Sequence, residues 1–298
     1  MLTAFSAVSI GQVSMADSSA QVITYWNIGD QQSYSVLFRT MKVKGEDTLS
    51  KETIEYDVDI RVIDSTADGY LVEWFYRNFR NDAPDPVSGK LASLAEDLKV
   101  VIETNELGEI KGVKNWEEVS RYMKKSIGQL KASVSPQGGM DALFNQLEAM
   151  YTSKHAVESA AIQDAHQFHF FHGGKYVLGQ AVETALQVPN IYYPTKPFDA
   201  VVTVSLDELN ADDNNFVIRS LQEVDSEQLT ATTIDYMNSM ADKLNGPDIK
   251  KEDIGLLSNI TAIASRIHGT GWLIYSIQTK TVEGAGMTKI EERIIEIK

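Results

Sequence analysis

Histidines cluster where a metal pair could form. Four of the five histidines fall between residues 155 and 172, and His166, His169 and His172 recur every three residues. On a helix, His166 and His169 would share a face, which is the geometry a metal pair needs. Against this, Asp164 is the one carboxylate close by, and His172 stands beside Gly173-Gly174, past the expected helix end. Cationic histidines also suit a helix C-terminus through its dipole. No metal site is assigned, and His166 and His169 are the candidates for one.

The remaining chemistry-bearing patterns are incomplete. Gly173-Gly174-Lys175 lacks the earlier glycine and the following Ser or Thr of a phosphate loop. Gly269-Thr270-Gly271 lacks the third glycine of a dinucleotide fingerprint and precedes a strand. There is no Gly-x-Ser-x-Gly elbow and no His-Glu-x-x-His motif. Asp57 and Asp59 share a strand face that reads as the wet one, so solvation is expected for both. Asn210 to Asn215 lacks the glycine and distal glutamate of a calcium loop. The sequence calls for no cofactor and no catalytic residue.

Aromatic residues offer a different kind of site. Tyr70, Val72, Trp74 and Tyr76 lie on one parity of a strand, and Tyr192 and Tyr193 sit between Pro189 and Pro194. Both sets could line a groove for an apolar ligand, although most such residues are core, and Tyr192 and Tyr193 in their proline-bounded loop are the better exposed candidates. They are the candidate ligand-binding residues.

The elements that must position them follow from periodicity. Ile54, Tyr56, Val58, Ile60 and Val62 alternate with Glu55, Asp57, Asp59 and Arg61, and the alternation resumes after Asp68-Gly69. Period-two patterning on both sides of a turn predicts an antiparallel hairpin with one dry face. A strand over 32–42 precedes it. Asn81 to Pro86 reads as a loop, Leu91 to Asp97 as a short helix, and Val100 to Thr104 with Glu109 to Val113 as a hairpin. Trp116, Val119, Met123, Ile127 and Leu130 recur at helical spacing behind an Asn115/Glu118 capping box. A second helix follows Gly138-Gly139, and a third is expected over Lys154 to about Phe168. Strands return at 176–179, 198–206 and 216–224. A helix capped by Ser226 and stopped at Asn245-Gly246-Pro247 precedes strands over 260–268, 272–282 and 287–297. The order predicts an α+β fold: a curved, mainly antiparallel β-sheet, half-barrel-like, packed against a block of helices.

An apolar fraction of 43% suits a globular chain with a full core. A formal charge of −15 argues against nucleic-acid partners, which need clustered Lys and Arg. There is no cysteine, which excludes disulfides and thiolate chemistry, and no apolar run long enough to span a bilayer. Leu2 to Val13 is apolar and small, and Ser14-Met15-Ala16 resembles a cleavage site, so residues 1–16 read as a truncated signal peptide before one α+β domain over 17–298. The first cation is Arg39, so a basic n-region is missing.

The phrases Trp26-Asn27-Ile28-Gly29-Asp30, Asp64 to Tyr70, Glu106 to Ile110 and His172 to Gly179 resemble an uncharacterised family of exported proteins in Bacteroidota. The layout is also similar to the half-barrel of periplasmic lipoprotein carriers, in which a curved sheet with helices in its mouth binds acyl chains. With the apolar sheet face and the Met- and Leu-rich helices, the expectation is a non-enzymatic periplasmic or cell-envelope protein, with a lipid or other apolar ligand between sheet and helices. The alternatives are a protein-interaction module with a solid core and an envelope protein partner, and a histidine-cluster metalloenzyme.

Overall fold

A computed structural model describes residues 13–83, 85–133, 140–160, 162–190, 192–193, 195–243 and 246–298. The expected leader up to residue 12, the Gly138-Gly139 break, Ile191, Pro194 and Asn245 lie outside them.

The described residues begin with two short strands, β1 (Val13–Ser14) and β2 (Ser19–Gln21), and then run up and down through β3 (Gln31–Lys44), β4 (Asp47–Thr66) and β5 (Gly69–Asn81). After helix α1 (Pro86–Ala92) come β6 (Lys99–Thr104) and β7 (Ile110–Val113). The helical block is α2 (Trp116–Ser133), α3 (Met140–Ala149), α4 (Lys154–Ala160) and α5 (Gln163–His169). Then follow β8 (Lys175–Val177), β9 (Ala181–Val188), β10 (Phe198–Asn210), β11 (Asn215–Val224), α6 (Ser226–Lys243), α7 (Lys251–Ile254), β12 (Ser258–His268), β13 (Leu273–Gly284) and β14 (Met287–Ile297).

Eleven strands form one curved, open sheet in the order β7-β6-β5-β4-β3-β14-β13-β12-β11-β10-β9. Every neighbouring pair in it is antiparallel. Each half is a meander, and the two halves join where β14 pairs with β3. The fold is therefore α+β, with a large antiparallel sheet that does not close into a barrel. Its turns are chemically specified. Ala285 and Gly286 both have positive φ (51° and 70°), the requirement for a tight two-residue hairpin loop between β13 and β14. Gly69 has φ 143°, and a Cβ there would collide with the Thr104 carbonyl, so the β4–β5 turn is closed only by glycine.

The opening hairpin buries Val58, Ile60 and Val62 of β4 and Val72 and Trp74 of β5 to 1% exposure or less. Its cover is the helical block. Val119, Met123, Ile127 and Leu130 of α2 are buried, as their spacing predicts, together with Phe144 and Phe168. The Phe168 ring lies edge-on to Trp74 at 5.4 Å and to Tyr34 at 5.7 Å.

Several local expectations are corrected. The helix expected over 154–168 is two helices, α4 and α5, which meet around a buried Ile162 whose φ of −121° is non-helical. α1 begins earlier than Leu91. Asp85 caps it by accepting from the N–H groups of Val87 and Ser88, with proline in the first turn. Asn115 meets Glu118 side chain to side chain, its Nδ2 donating to Glu118 Oε2 (3.4 Å), rather than through the reciprocal backbone bonds of a capping box. Its carboxamide accepts from Val101 N (2.8 Å) and donates to Lys99 O (3.1 Å), tying the start of α2 to β6. The cap of α6 is Asp225, which accepts from Gln228 N (2.7 Å), rather than Ser226. Asp57 is not a solvated carboxylate: it is 5% exposed and ion-paired to Lys298 Nζ at 2.6 Å.

Candidate functional site

The apolar candidates of the opening hairpin separate into two environments. Val72 and Trp74 belong to the packed interior, with Trp74 against Phe168 and His169. Tyr70 is half-buried, packs on Trp26 and donates its hydroxyl to Thr24 O (3.2 Å). Tyr76 lies farther along β5, where the interior opens, and forms part of a cavity wall. Tyr192 stacks on Tyr236 of α6 at 4.6 Å, and the backbone of Tyr192 and Tyr193 is pinned by the buried Asn190 side chain.

The histidines are held as structural anchors. His169 Nδ1 lies 2.8 Å from Gly108 O, and His172 Nε2 lies 3.1 Å from Gly271 O. A carbonyl only accepts, so those two nitrogens carry the protons and the tautomers are set. Burial pushes both pKa values down, His172 to about 4, so both rings are neutral near neutral pH. His166 is exposed and reaches Glu158 O (3.2 Å), so α5 does not bring it to His169 as a pair. Among the described residues no group of three or more His, Cys, Asp or Glu is placed to hold a metal.

The site that does emerge is a cleft beside α5, and strand register builds it. Residues two apart on a strand share a face. The helix-bearing row Ile295–Ser276–Ser265–Ile218 is buried across β14 to β11, where Gln167 of α5 donates to Ser276 Oγ (2.9 Å). The next row out is Arg293–Gln278–Ile263–Ser220, and the one beyond is Glu291–Lys280–Thr261–Gln222. Polarity thus rises with distance from α5. These outer rows, with His166, Gln163 and Phe170, line a cleft of about 730 Å³. That lies within the usual range for small-molecule sites, roughly 300–1,000 Å³.

A second chamber of about 210 Å³ adjoins it and shares Phe38, Gln163 and Arg293 with it. Its other walls are mainly apolar, including Ile54, Tyr76, Phe79, Leu98 and Met123, with Asp164 as the one carboxylate. At the junction, Arg293 Nε lies 2.9 Å from Asp164 Oδ1, an ionic contact whose N–H direction is not that of a linear hydrogen bond. Tyr56 donates to Asp164 Oδ2 (2.8 Å). Burial raises the Asp164 pKa, while Arg293 and the Tyr56 hydroxyl pull it back. The Arg293 guanidinium also covers the Phe38 ring at 5.3 Å.

The far end of the cleft is bounded by a second apolar cluster, separate from the main core. There Leu229 of α6 packs on Phe198, Ala200 and Val224. The cleft therefore occupies the gap between two cores on one sheet face. The periodicity found Tyr76 but missed Gln167, Gln222, Asn259, Gln278 and Arg293. The signal available was a set of polar residues on the inward parity of β11 to β14.

Fold and cleft together define an open antiparallel-sheet protein with a two-chambered cleft. No family model matches the chain, and no curated protein matches it. Among solved structures, one titled "Lipid-protein interactions in lipovitellin" is similar at 9% identity and a TM-score of 0.39, over 91% of this chain and 25% of that one. The chain thus spans about a quarter of that protein's length, and the likeness is too distant to transfer anything between them. Among the described residues no helix is long and apolar enough to cross a membrane.

Proposed function

We propose that this chain is a non-enzymatic binding protein of the periplasm or cell envelope, holding a lipid or another amphipathic molecule in the cleft between α5 and the sheet. The observation that carries the reading is the junction of a small, mainly apolar chamber with a larger one whose walls mix amide and charged side chains with Phe170, Val188, Val224 and Ile263, through Phe38, Gln163 and Arg293. An amphipathic molecule is the ligand type that satisfies both walls at once. The apolar chamber is below the size of a whole ligand site and suits part of a chain. Of the sequence candidates, Tyr76 contributes to the wall, while Val72 and Trp74 belong to the packed interior. The location rests on the resemblance of the turn and strand signatures to exported proteins of Bacteroidota.

Native mass spectrometry after mild extraction, together with titration by fluorescent fatty acids, tests the reading. The expected result is a retained or added amphiphile, with binding reduced by Ala95→Phe, which fills the apolar chamber. Absence of both retained and added ligand overturns it.

A second reading is favoured by the filled interior under the opening hairpin, where Trp74, Tyr34 and Phe168 are fully buried. This is a protein-interaction module whose partner meets the surface. Exposed Tyr236, Met240 and Leu256 near α6 and α7 would supply that surface. Crosslinking in envelope fractions, with recovery of one stoichiometric partner and no bound ligand, would favour it over the binding protein.

A further inference from the structure

We infer that the polar chamber recognises an uncharged, polyhydroxylated head group, so that the molecule held in the cleft is of the glycolipid class. The inference rests on the amphiphile reading above and names the head of that ligand. Five carboxamides line the chamber: Gln163, Gln167, Gln222, Gln278 and Asn259. A carboxamide donates and accepts at once, as does a hydroxyl, whereas an ionised carboxylate or phosphate only accepts.

Two of these amides state what they lack. Gln167 is 2% exposed, and its nitrogen donates to Ser276 Oγ (2.9 Å) and Arg293 O (3.2 Å). A carbonyl cannot donate, so the orientation of that amide is fixed and its Oε1 is the remaining acceptor. Gln167 Oε1 and Asn259 Oδ1 are both buried without a donor. A buried acceptor left unmet costs about 1–3 kcal/mol, and a ligand that reaches either oxygen with an O–H group would recover that cost.

The charges of the chamber are nearly balanced. Arg293 is answered by Asp164 at 2.9 Å, and Glu291 by Lys289 at 2.6 Å. Lys280 stands directly across the strand pair from Glu291 and shares that one carboxylate with Lys289. One cation more than the carboxylates answer is left at the wall, and the octanoate arm of the test measures what it is worth against the amides. Phe170, 42% exposed at the rim, offers an apolar plate for the C–H face of a sugar ring.

The test is isothermal titration with amphiphiles that share one chain and differ in head: octyl glucoside, octanoate and octyltrimethylammonium, each below its micelle concentration. Octyl glucoside is expected to bind about tenfold tighter than either charged probe. Gln222→Ala and Asn259→Ala, both at half-buried strand positions, are each expected to weaken it about fivefold, the loss of one hydrogen bond, with octanoate unchanged. Thermal melts of the two variants establish that they fold. Equal or tighter binding of octanoate or the ammonium probe overturns the head-group inference and leaves the amphiphile reading standing. Water filling the chamber in place of a sugar gives this same result, because the glucoside then has no advantage. If none of the three probes binds, the amphiphile reading falls and this inference with it.

Discussion

Acid should destabilise this protein through its buried histidines before its ion-paired and capping carboxylates are touched. Burial holds the His172 ring at a pKa of about 4, and His169 is also pushed well below 6.5, by burial and by the neighbouring His172. In the unfolded chain both titrate near 6.5. Below that pH the unfolded state takes up protons that the folded state refuses, so stability falls with pH from about 6.5 until the folded pKa is reached. For His172 the gap of about 2.5 units, at about 1.36 kcal/mol per unit, amounts to about 3 kcal/mol. A domain is stable by only about 5–15 kcal/mol, so the loss is a large fraction. Asp57, Asp59, Asp82 and Asp85 are held below the usual carboxylate range, and what they contribute is lost only below about pH 4. Asp164 works in the opposite sense: its pKa is raised, so its protonation in acid offsets part of the histidine loss. The assay is urea denaturation between about pH 7 and 4.5, followed by tryptophan fluorescence. Trp26 reports directly, since it stacks on Trp272 at 4.4 Å and packs on both histidines. His172→Gln keeps a donor for Gly271 O but does not titrate, and it should flatten the slope by up to about 1.4 kcal/mol per pH unit. Equal wild-type stability at the two ends of the range, or an unchanged slope in His172→Gln, refutes the reasoning.

Three further outcomes follow from the packing. Phe168→Ala removes a ring that is 1% exposed between Trp74 and Tyr34, and should lower stability by about 3–5 kcal/mol in the same urea assay. Arg293→Gln leaves Asp164 buried without its cation and should cost about 3–5 kcal/mol, most of it recovered in the double variant with Asp164→Asn. Gly69→Ala drives a Cβ into the Thr104 carbonyl at positive φ and should cost more than about 2 kcal/mol, read as a lower melting temperature by circular dichroism.

What the sequence made legible was governed by burial on one face only. β4 and β5 alternate because one side meets the helices and the other does not, and the pattern could be read without the partner strands. β9 carries no such pattern: it is an edge strand, exposed along most of its length, with only Leu186 and Val188 half-buried. The start of α1 had a usable signal in Asp85-Pro86, a cap followed by a first-turn proline, which the reading of 81–86 as a loop passed over. The burial of Asp57 had no local signal. It depends on Lys298 and Arg77, which lie far from it in the chain. The cleft left a fainter signal, polar residues on the inward parity of β11 to β14, which no single strand makes decisive. Gln222, Asn259, Gln278 and Arg293 meet only because four strands align in register, and each alone reads as an ordinary solvent-facing residue.

The same register explains why a cleft exists at all. Helices cover the sheet where its inner face is apolar, over Val58, Ile60, Val72 and Trp74, because burial there removes apolar surface from water. A helix laid over Gln222, Thr261, Lys280 and Glu291 would strip water from two charges and two hydrogen-bonding side chains. An apolar helix face returns no partners, and each such group left unmet costs several kcal/mol. Cover therefore stops at Gln167 of α5, whose amide still finds partners on the sheet, and resumes at Leu229 of α6, where Ala200 and Val224 are apolar again. The interval is the cleft. It is encoded as polarity on the strand parity that elsewhere in this sheet forms the core, so replacing Gln222, Thr261 and Gln278 with aliphatic residues would remove the physical reason for the gap and leave α5 and α6 free to share one continuous core.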